Sequence, residues 1–157
     1  MRSRTFTPTR SQVWTAARFI AQSIPPRVLI VDDYVDSADA LAAFLATSGF
    51  ETRVAYNGCD VLAIANEWHP DSIVLDIAMP GVSGLAVART LRGSPATASV
   101  PLLAYTAYET GDNYAQLRDG GFDGVCAKPI DPLMVAEILA TLLGTAALNH
   151  VYSFRPS

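Results

Sequence analysis

The chain has 157 residues, half of them apolar, and a net charge of -4 with a pI near 5.0. This length favours one domain with a substantial core, and the acidic balance argues against a general nucleic-acid binder, because phosphate backbones are held by clustered Lys and Arg. The chain has two cysteines, Cys59 and Cys126, which are too few for a disulfide framework and are expected to be buried, so a cytoplasmic protein is favoured. No apolar run reaches the roughly 18 residues that a membrane span needs.

The first 26 residues form a basic extension that contains four arginines and no acid. Apolar residues lie at helical spacing within it, namely Val13, Ala17, Ile20 and Ile24. Two interpretations stay open, a short amphipathic helix that docks on a partner or on the following domain, and a disordered segment. Pro25 and Pro26 then separate the extension from the next element as a stiff linker.

From residue 27 onward, short apolar runs alternate with longer periodic segments, which predicts β-α units, a parallel sheet and helices on both faces. The five predicted strands are Arg27–Val31, Thr52–Tyr56, Ser72–Leu75, Pro101–Tyr105 and Gly124–Ala127. The first predicted helix runs through Ala38–Leu45 with Asp36 as the cap. The others are Val61–Trp68, a helix after Gly84 marked by Val87–Leu91, Thr110–Arg118, and Val135–Leu142 opened by Asp131 and Pro132.

Polar side chains follow four of these strands where each one ends. They are Asp32 and Asp33, Asp76, Thr106, and Lys128, the only lysine of the chain. Taken alone, an aspartate at such a position is usually a helix cap or a solvated loop residue, Thr106 would be an ordinary turn residue, and Lys128 would be a surface charge. Because the carboxyl ends of parallel strands meet at one edge of a sheet, we expect all five to converge there.

Three neighbouring carboxylates repel one another, and a hard divalent cation such as Mg²⁺ is the simplest way to hold them together. Magnesium typically combines one or two carboxylates with a phosphate oxygen. With Asp76 as the nucleophile, an in-line attack on phosphorus would form an acyl phosphate, and Lys128 and Thr106 would contact its oxygens. The pattern therefore favours phosphoryl chemistry.

With these residues the chain resembles the receiver domains of two-component response regulators. The matching segments are VLIVDD, SIVLDIAMPGVSG, LLAYTA and AKPI, within residues 27–146, which leaves 147–157 as a C-terminal tail. The resemblance implies a doubly wound α/β fold in which five parallel strands take the flavodoxin-like order 2-1-3-4-5, with helices on both faces.

The resemblance also implies a role for each matching position. Asp76 corresponds to the phosphoacceptor, Asp33 to a direct Mg²⁺ ligand, Asp32 to an acid that acts through metal-bound water, and the main-chain carbonyl of Ala78 to a further ligand. Thr106 corresponds to the switch hydroxyl, Ala107 to the small residue whose amide faces the phosphoryl group, and Lys128 to the phosphoryl-binding lysine. The peptide bond before Pro129 is expected to be cis.

Two positions depart from the family pattern. Val125 stands where many receivers carry a mobile Tyr or Phe. Tyr108, two residues beyond Thr106, is expected either to shield the phosphoryl group or to serve as the mobile aromatic residue.

These features predict a stand-alone receiver, not an enzyme acting on other substrates, which catalyses its own phosphorylation and dephosphorylation. A histidine kinase or phosphotransfer protein would donate the phosphoryl group, a downstream effector protein would receive the signal, and a homodimer stays open. One alternative is a receiver-like interaction module that works without phosphorylation. Another is an aspartyl-phosphate phosphatase of the haloacid-dehalogenase type, which normally has a second aspartate where this chain has Ala78.

Overall fold

The computed structural model describes residues 11–14, 23–107 and 112–144. The strands of this part of the chain are β1 (Ser11–Val13), β2 (Arg27–Val31), β3 (Glu51–Ala55), β4 (Ser72–Leu75), β5 (Leu102–Thr106) and β6 (Gly124–Ala127). The helices are α1 (Val35–Thr47), α2 (Val61–Trp68), α3 (Gly84–Arg92), α4 (Asp112–Asp119) and α5 (Pro132–Leu143). None of these five helices is long and apolar enough to cross a bilayer.

The strands form one mixed sheet in the order β1-β6-β5-β4-β2-β3. The five strands from β2 to β6 are parallel, and their order confirms the predicted arrangement 2-1-3-4-5. The predicted count of five strands was too low, because β1 adds a sixth strand that runs antiparallel to β6.

The basic extension contains strand β1 at Ser11–Val13. These three residues are therefore neither helical nor disordered, and both interpretations of the extension were wrong for them. Val13 pairs with Gly124, and the amide of Trp14 donates to the carbonyl of Asp123 at 2.7 Å. A Cβ atom at position 124 would lie 2.7 Å from the carbonyl oxygen of Gln12, so the glycine permits the close approach. Residues 1–10 and 15–22 of the extension lie outside the described residues.

Two hydrophobic layers cover the two faces of the sheet. Strand β2 shows the alternation, since Val28 and Ile30 face a layer built with α1 and α5, whereas Leu29 and Val31 face a layer built with α2, α3 and α4. All four side chains are at most 1% exposed. The strands are therefore buried on both faces, which explains their uniformly apolar sequences.

Several predicted boundaries need correction. The fourth predicted strand begins at Leu102 and ends at Thr106, because Pro101 has no amide hydrogen to donate to the ladder. Helix α1 begins at Val35, so Asp36 lies in its first turn and is not its cap. Asp131 does cap α5, since its side chain accepts from the Leu133 amide at 2.9 Å.

The two cysteines differ in burial. Cys126 is buried in β6 as predicted, but Cys59 is exposed. The prediction was wrong for Cys59 because this residue lies in the loop before α2, outside the buried face of the helix.

Arg92 at the end of α3 joins the segments that lead into β5 and β6. Its guanidinium donates to the carbonyls of Ala98, Val100 and Gly121 at 2.7–3.0 Å, and it pairs with Asp123 at 2.9 Å. The same Asp123 oxygen accepts from the amide of Leu102 at 2.8 Å. This cluster fixes the amino ends of both strands, at the opposite edge of the sheet from the predicted site.

Candidate functional site

Three aspartates meet at the carboxyl ends of two neighbouring parallel strands. Asp32 and Asp33 follow β2, and Asp76 follows β4, the neighbouring strand. One carboxylate oxygen from each of the three lies within 4.8 Å of the others. Asp32 and Asp76 are buried, whereas Asp33 is exposed, so the cluster opens to solvent on one side.

Lys128 brings a positive charge to this cluster from the end of β6. Its Nζ lies 2.8 Å from Asp32 Oδ2 and 3.6 Å from Asp76 Oδ2. The backbone amide of Lys128 donates to the carbonyl of Thr106 at 2.7 Å, and the bond to Pro129 is cis. The lone lysine of the chain thus lies among the acids, where the sequence predicted it.

Asp76 is held by a loop that folds back on itself. Its amide donates to the carbonyl of Val31, and its Oδ1 accepts from the amide of Ala78 at 3.1 Å. The amide of Gly84 donates to the carbonyl of Ile77 at 3.0 Å. A Cβ atom at Gly84 would collide with the Asp76 carbonyl and lie 2.7 Å from Ile77 Cα, so only glycine allows α3 to begin this close to Asp76.

Burial and mutual contact shift the pKa values of Asp76, Asp32 and Lys128. Burial raises the pKa of Asp76 to about 6; the charge of Lys128 opposes this rise, and the charge of Asp32 adds to it. Burial also disfavours the ionised form of Asp32, but the hydrogen bonds from Lys128 and from the Tyr34 amide outweigh it and lower the pKa. The pKa of Lys128 is raised, because its contacts with Asp32 and Asp76 outweigh its burial. At neutral pH Asp76 is therefore mainly ionised, and Asp32 and Lys128 also carry their charges, so the negative charge of these two acids exceeds the positive charge of the lysine.

The donor set fits a hard divalent cation. The cluster offers carboxylate oxygens, which Mg²⁺ prefers, and its one ammonium cannot neutralise three acids. Burial is the main cause of the raised pKa of Asp76, and a bound cation would relieve the repulsion from Asp32 that adds to it. The exposed Asp33 leaves one side open for water and for a phosphate oxygen.

The other predicted residues belong to β5 and β6 or to the segment that follows β5. Thr106 is fully buried as the last residue of β5, and Ala107 follows it at an exposed position. Val125 is fully buried in the layer that α2, α3 and α4 cover. Tyr108 lies outside the described residues.

Sequence reasoning missed Tyr105, which contacts the site directly. The ring of this half-buried residue lies under the ammonium of Lys128, with Nζ 4.8 Å from the ring centroid. An aromatic residue immediately before Thr106, in a strand otherwise made of small and aliphatic side chains, was the available signal. Its significance depends on which face of the sheet it occupies, and this was not evident before the register was known.

The fold and the site together define a class, the flavodoxin-like α/β domains that carry an acidic, lysine-bearing centre at the carboxyl edge of the sheet. The chain belongs to the response regulator receiver domain family, whose model matches residues 28–140.

Relatives of this chain include response regulators that match it over nearly their whole length. The polar-differentiation response regulator DivK of Brucella anthropi is 32% identical over 123 residues, which cover 78% of this chain and all of the relative. DivK of Brucella ovis is 33% identical over 119 residues, 76% of this chain and 97% of the relative.

Solved structures show the same fold. The chemotaxis protein CheY4 of Vibrio cholerae has a TM-score of 0.72 and 25% identity over 75% of this chain and 98% of its own. A response regulator from Desulfuromonas acetoxidans has a TM-score of 0.67 and 29% identity over 73% of this chain and 93% of its own.

Proposed function

We propose that Asp76 accepts a phosphoryl group from a phosphohistidine of a histidine kinase or phosphotransfer protein, and that the change is passed on through protein contacts. One observation carries this proposal: the Asp76 carboxylate lies beside Lys128 and within 4.8 Å of two further carboxylates, at the carboxyl edge of the sheet. Membership of the receiver family supports the same reaction.

The reaction needs a carboxylate nucleophile and a stabilised phosphoryl group. An oxygen of Asp76 forms a bond to phosphorus while the bond from phosphorus to the imidazole nitrogen of the donor breaks, and the imidazole leaves with that electron pair. Lys128 supplies a positive charge next to Asp76 for the phosphoryl oxygens. We assign to Thr106 the hydroxyl, and to Ala107 the amide, that donate to the same oxygens at the end of β5.

Asp32, Asp33 and Asp76, with the main-chain carbonyl of Ala78, would hold Mg²⁺. When bound, the ion would neutralise the acids and the charge of the incoming phosphoryl group. Because its pKa is about 6, Asp76 is mainly ionised at neutral pH. The ionised carboxylate is the form that can attack phosphorus.

Incubation with Mg²⁺ and a small acyl-phosphate donor, followed by intact-mass measurement, tests the proposal. We expect one added phosphoryl group in the parent and none in Asp76→Asn. Asp36→Asn is the matched control, because it removes an exposed aspartate in the first turn of α1 and should leave the adduct unchanged.

The alternatives give different outcomes. A chain that stays unmodified with Mg²⁺ and donor would support the phosphorylation-independent interaction module. Rapid hydrolysis of phosphate esters would support the phosphatase. An adduct that persists in Asp76→Asn would place the phosphoryl group on another residue and overturn the assignment.

A further inference from the structure

We infer that Tyr105 is a positioning residue that holds the ammonium of Lys128 over the acidic cluster through the face of its ring. This inference deepens the proposed function and rests on it for its kinetic consequence, whereas the contact itself can be tested separately.

The strand register brings the two residues together. Strands β5 and β6 pair in parallel with Tyr105 opposite Cys126 and Thr106 opposite Ala127. The amide of Lys128 then donates to the carbonyl of Thr106, which fixes the start of the lysine side chain at the end of β5. Tyr105 lies one position earlier on that strand, so its ring is supplied by the same strand that carries Thr106.

The face of the sheet decides which aromatic residue can reach the ammonium. Tyr105 packs against the layer formed with α1 and α5, on the side where the Lys128 side chain crosses the ring. Val125 points into the opposite layer and has no ring. Among the residues that the structure describes, Tyr105 is thus the aromatic side chain in contact with the site's cation.

Three contacts determine where the ammonium lies. Two are with Asp32 Oδ2 at 2.8 Å and Asp76 Oδ2 at 3.6 Å, and the third is the Tyr105 ring, whose centroid is 4.8 Å away. An ammonium within about 6 Å of a ring centroid is attracted to the negative face of the ring. The ring therefore restricts a long, flexible side chain that would otherwise sample many rotamers.

The ring contact differs from the other two in what it depends on. Asp32 and Asp76 are also proposed metal ligands, and Asp76 is the proposed phosphoacceptor, so their contacts with Lys128 change during the reaction. The Tyr105 ring has neither duty, and its attraction for a cation does not depend on the ionisation of a carboxylate. The ring can hold Lys128 near the phosphoryl oxygens after the carboxylate of Asp76 has formed its bond to phosphorus.

The single lysine makes the contact directly observable. In protein labelled with ¹³C only at lysine, every lysine signal comes from Lys128. We expect the Hε/Cε signal to be displaced by the ring current in the parent and in Tyr105→Phe, and to move toward the value of a free lysine in Tyr105→Leu. Phe44→Leu is the matched control, because it removes another half-buried ring of the same layer, carried by α1.

The kinetic arm uses the same variants. With Mg²⁺ and a small acyl-phosphate donor, we expect Tyr105→Leu to be phosphorylated about 3- to 30-fold more slowly than the parent, in line with a partly buried cation–ring contact. Tyr105→Phe should retain the parent rate. A general packing defect would slow Phe44→Leu as well and would lower the melting temperature of both leucine variants alike.

The outcomes separate this inference from the proposed function. An unchanged lysine signal and an unchanged rate in Tyr105→Leu would overturn the positioning role while leaving Asp76 as the phosphoacceptor. A parent that accepts no phosphoryl group would overturn the proposed function, and the lysine signal would still decide whether the ring holds Lys128.

Discussion

The raised pKa of Asp76 implies that the proposed phosphoacceptor destabilises the fold at neutral pH. Its side chain is 9% exposed, and the charge of Asp32 adds to the effect of burial. Replacing Asp76 with asparagine removes the charge and nearly keeps the volume. We therefore expect Asp76→Asn to be more stable than the parent in metal-free buffer at neutral pH.

The magnitude follows from the two pKa values. A rise from 3.8 to about 6 corresponds to roughly 3 kcal/mol, at about 1.36 kcal/mol per pH unit. Below pH 3.8 the group is protonated in both states and contributes nothing. Between these values the native state binds more protons than the unfolded state, so stability falls as pH rises, and the full penalty is present above pH 6. The value of about 6 already includes the attraction of Lys128, and screening by solvent at the open side of the cluster reduces the expected gain in Asp76→Asn to about 1–3 kcal/mol at pH 7.5.

Urea unfolding in EDTA at pH 7.5 and pH 4.5 measures this difference. We expect the difference in unfolding free energy between Asp76→Asn and the parent to fall at pH 4.5 to about a third of its value at pH 7.5, because Asp76 is then protonated in the native state and only partly ionised in the unfolded state. Asp32→Asn should instead lower the free energy of unfolding at pH 7.5, because the contacts with Lys128 and the Tyr34 amide that lower the pKa of Asp32 stabilise its ionised form in the native state. Asp36→Asn, exposed in α1, should change little at either pH.

Two results would refute this reasoning. Equal unfolding midpoints for Asp76→Asn and the parent at pH 7.5 would show that burial of the charge does not destabilise the fold. An advantage of the same size at both pH values would show that the gain has a cause other than ionisation. Added Mg²⁺ provides a further check, since it should stabilise the parent more than Asp76→Asn and so narrow the gap.

Three further predictions concern the scaffold and the site. Arg92→Ala should lower the free energy of unfolding by about 2–4 kcal/mol in urea titrations, because it removes the cationic partner of Asp123 and the donor to the carbonyls of Val100 and Gly121. The exposed Arg89→Ala on the same helix should cost under about 0.5 kcal/mol. Gly84→Ala should slow phosphorylation at least about tenfold in the intact-mass assay by displacing the Asp76 loop, whereas Gly93→Ala, with its nearest contact at 3.4 Å, should match the parent. Lys128→Arg should also slow phosphorylation about tenfold, because a planar guanidinium does not match the compact ammonium 2.8 Å from Asp32. A time course equal to that of the parent would show that the site does not require a lysine at this position.

The fold and the acidic centre were largely predictable, because each rests on local patterns. Apolar runs of four or five residues identified the buried parallel strands, and Asp32, Asp76 and Lys128 follow directly at their ends. Parallel strands place their carboxyl ends at one edge, so no knowledge of side-chain conformation was needed to bring these residues together.

Strand β1 and Tyr105 were not predictable in this way. The apolar spacing from Val13 to Ile24 suits a helix, and only pairing with β6, more than a hundred residues later, makes Ser11–Val13 a strand. The contact between Tyr105 and Lys128 depends on the register of β5 against β6 and on a lysine rotamer, neither of which a single sequence encodes in a local pattern. Both features come from long-range pairing.

The antiparallel strand β1 also affects how this receiver behaves when it is shortened. A chain cut to the family boundaries at residues 28–140 would keep the acidic centre but lose Ser11–Val13 and Trp14. The outer backbone groups of β6 would then be unpaired, next to a glycine at position 124 that offers no side-chain obstacle to an approaching strand. Such a fragment would present a template for edge-to-edge association, so its oligomeric state would reflect the cut and not the native protein.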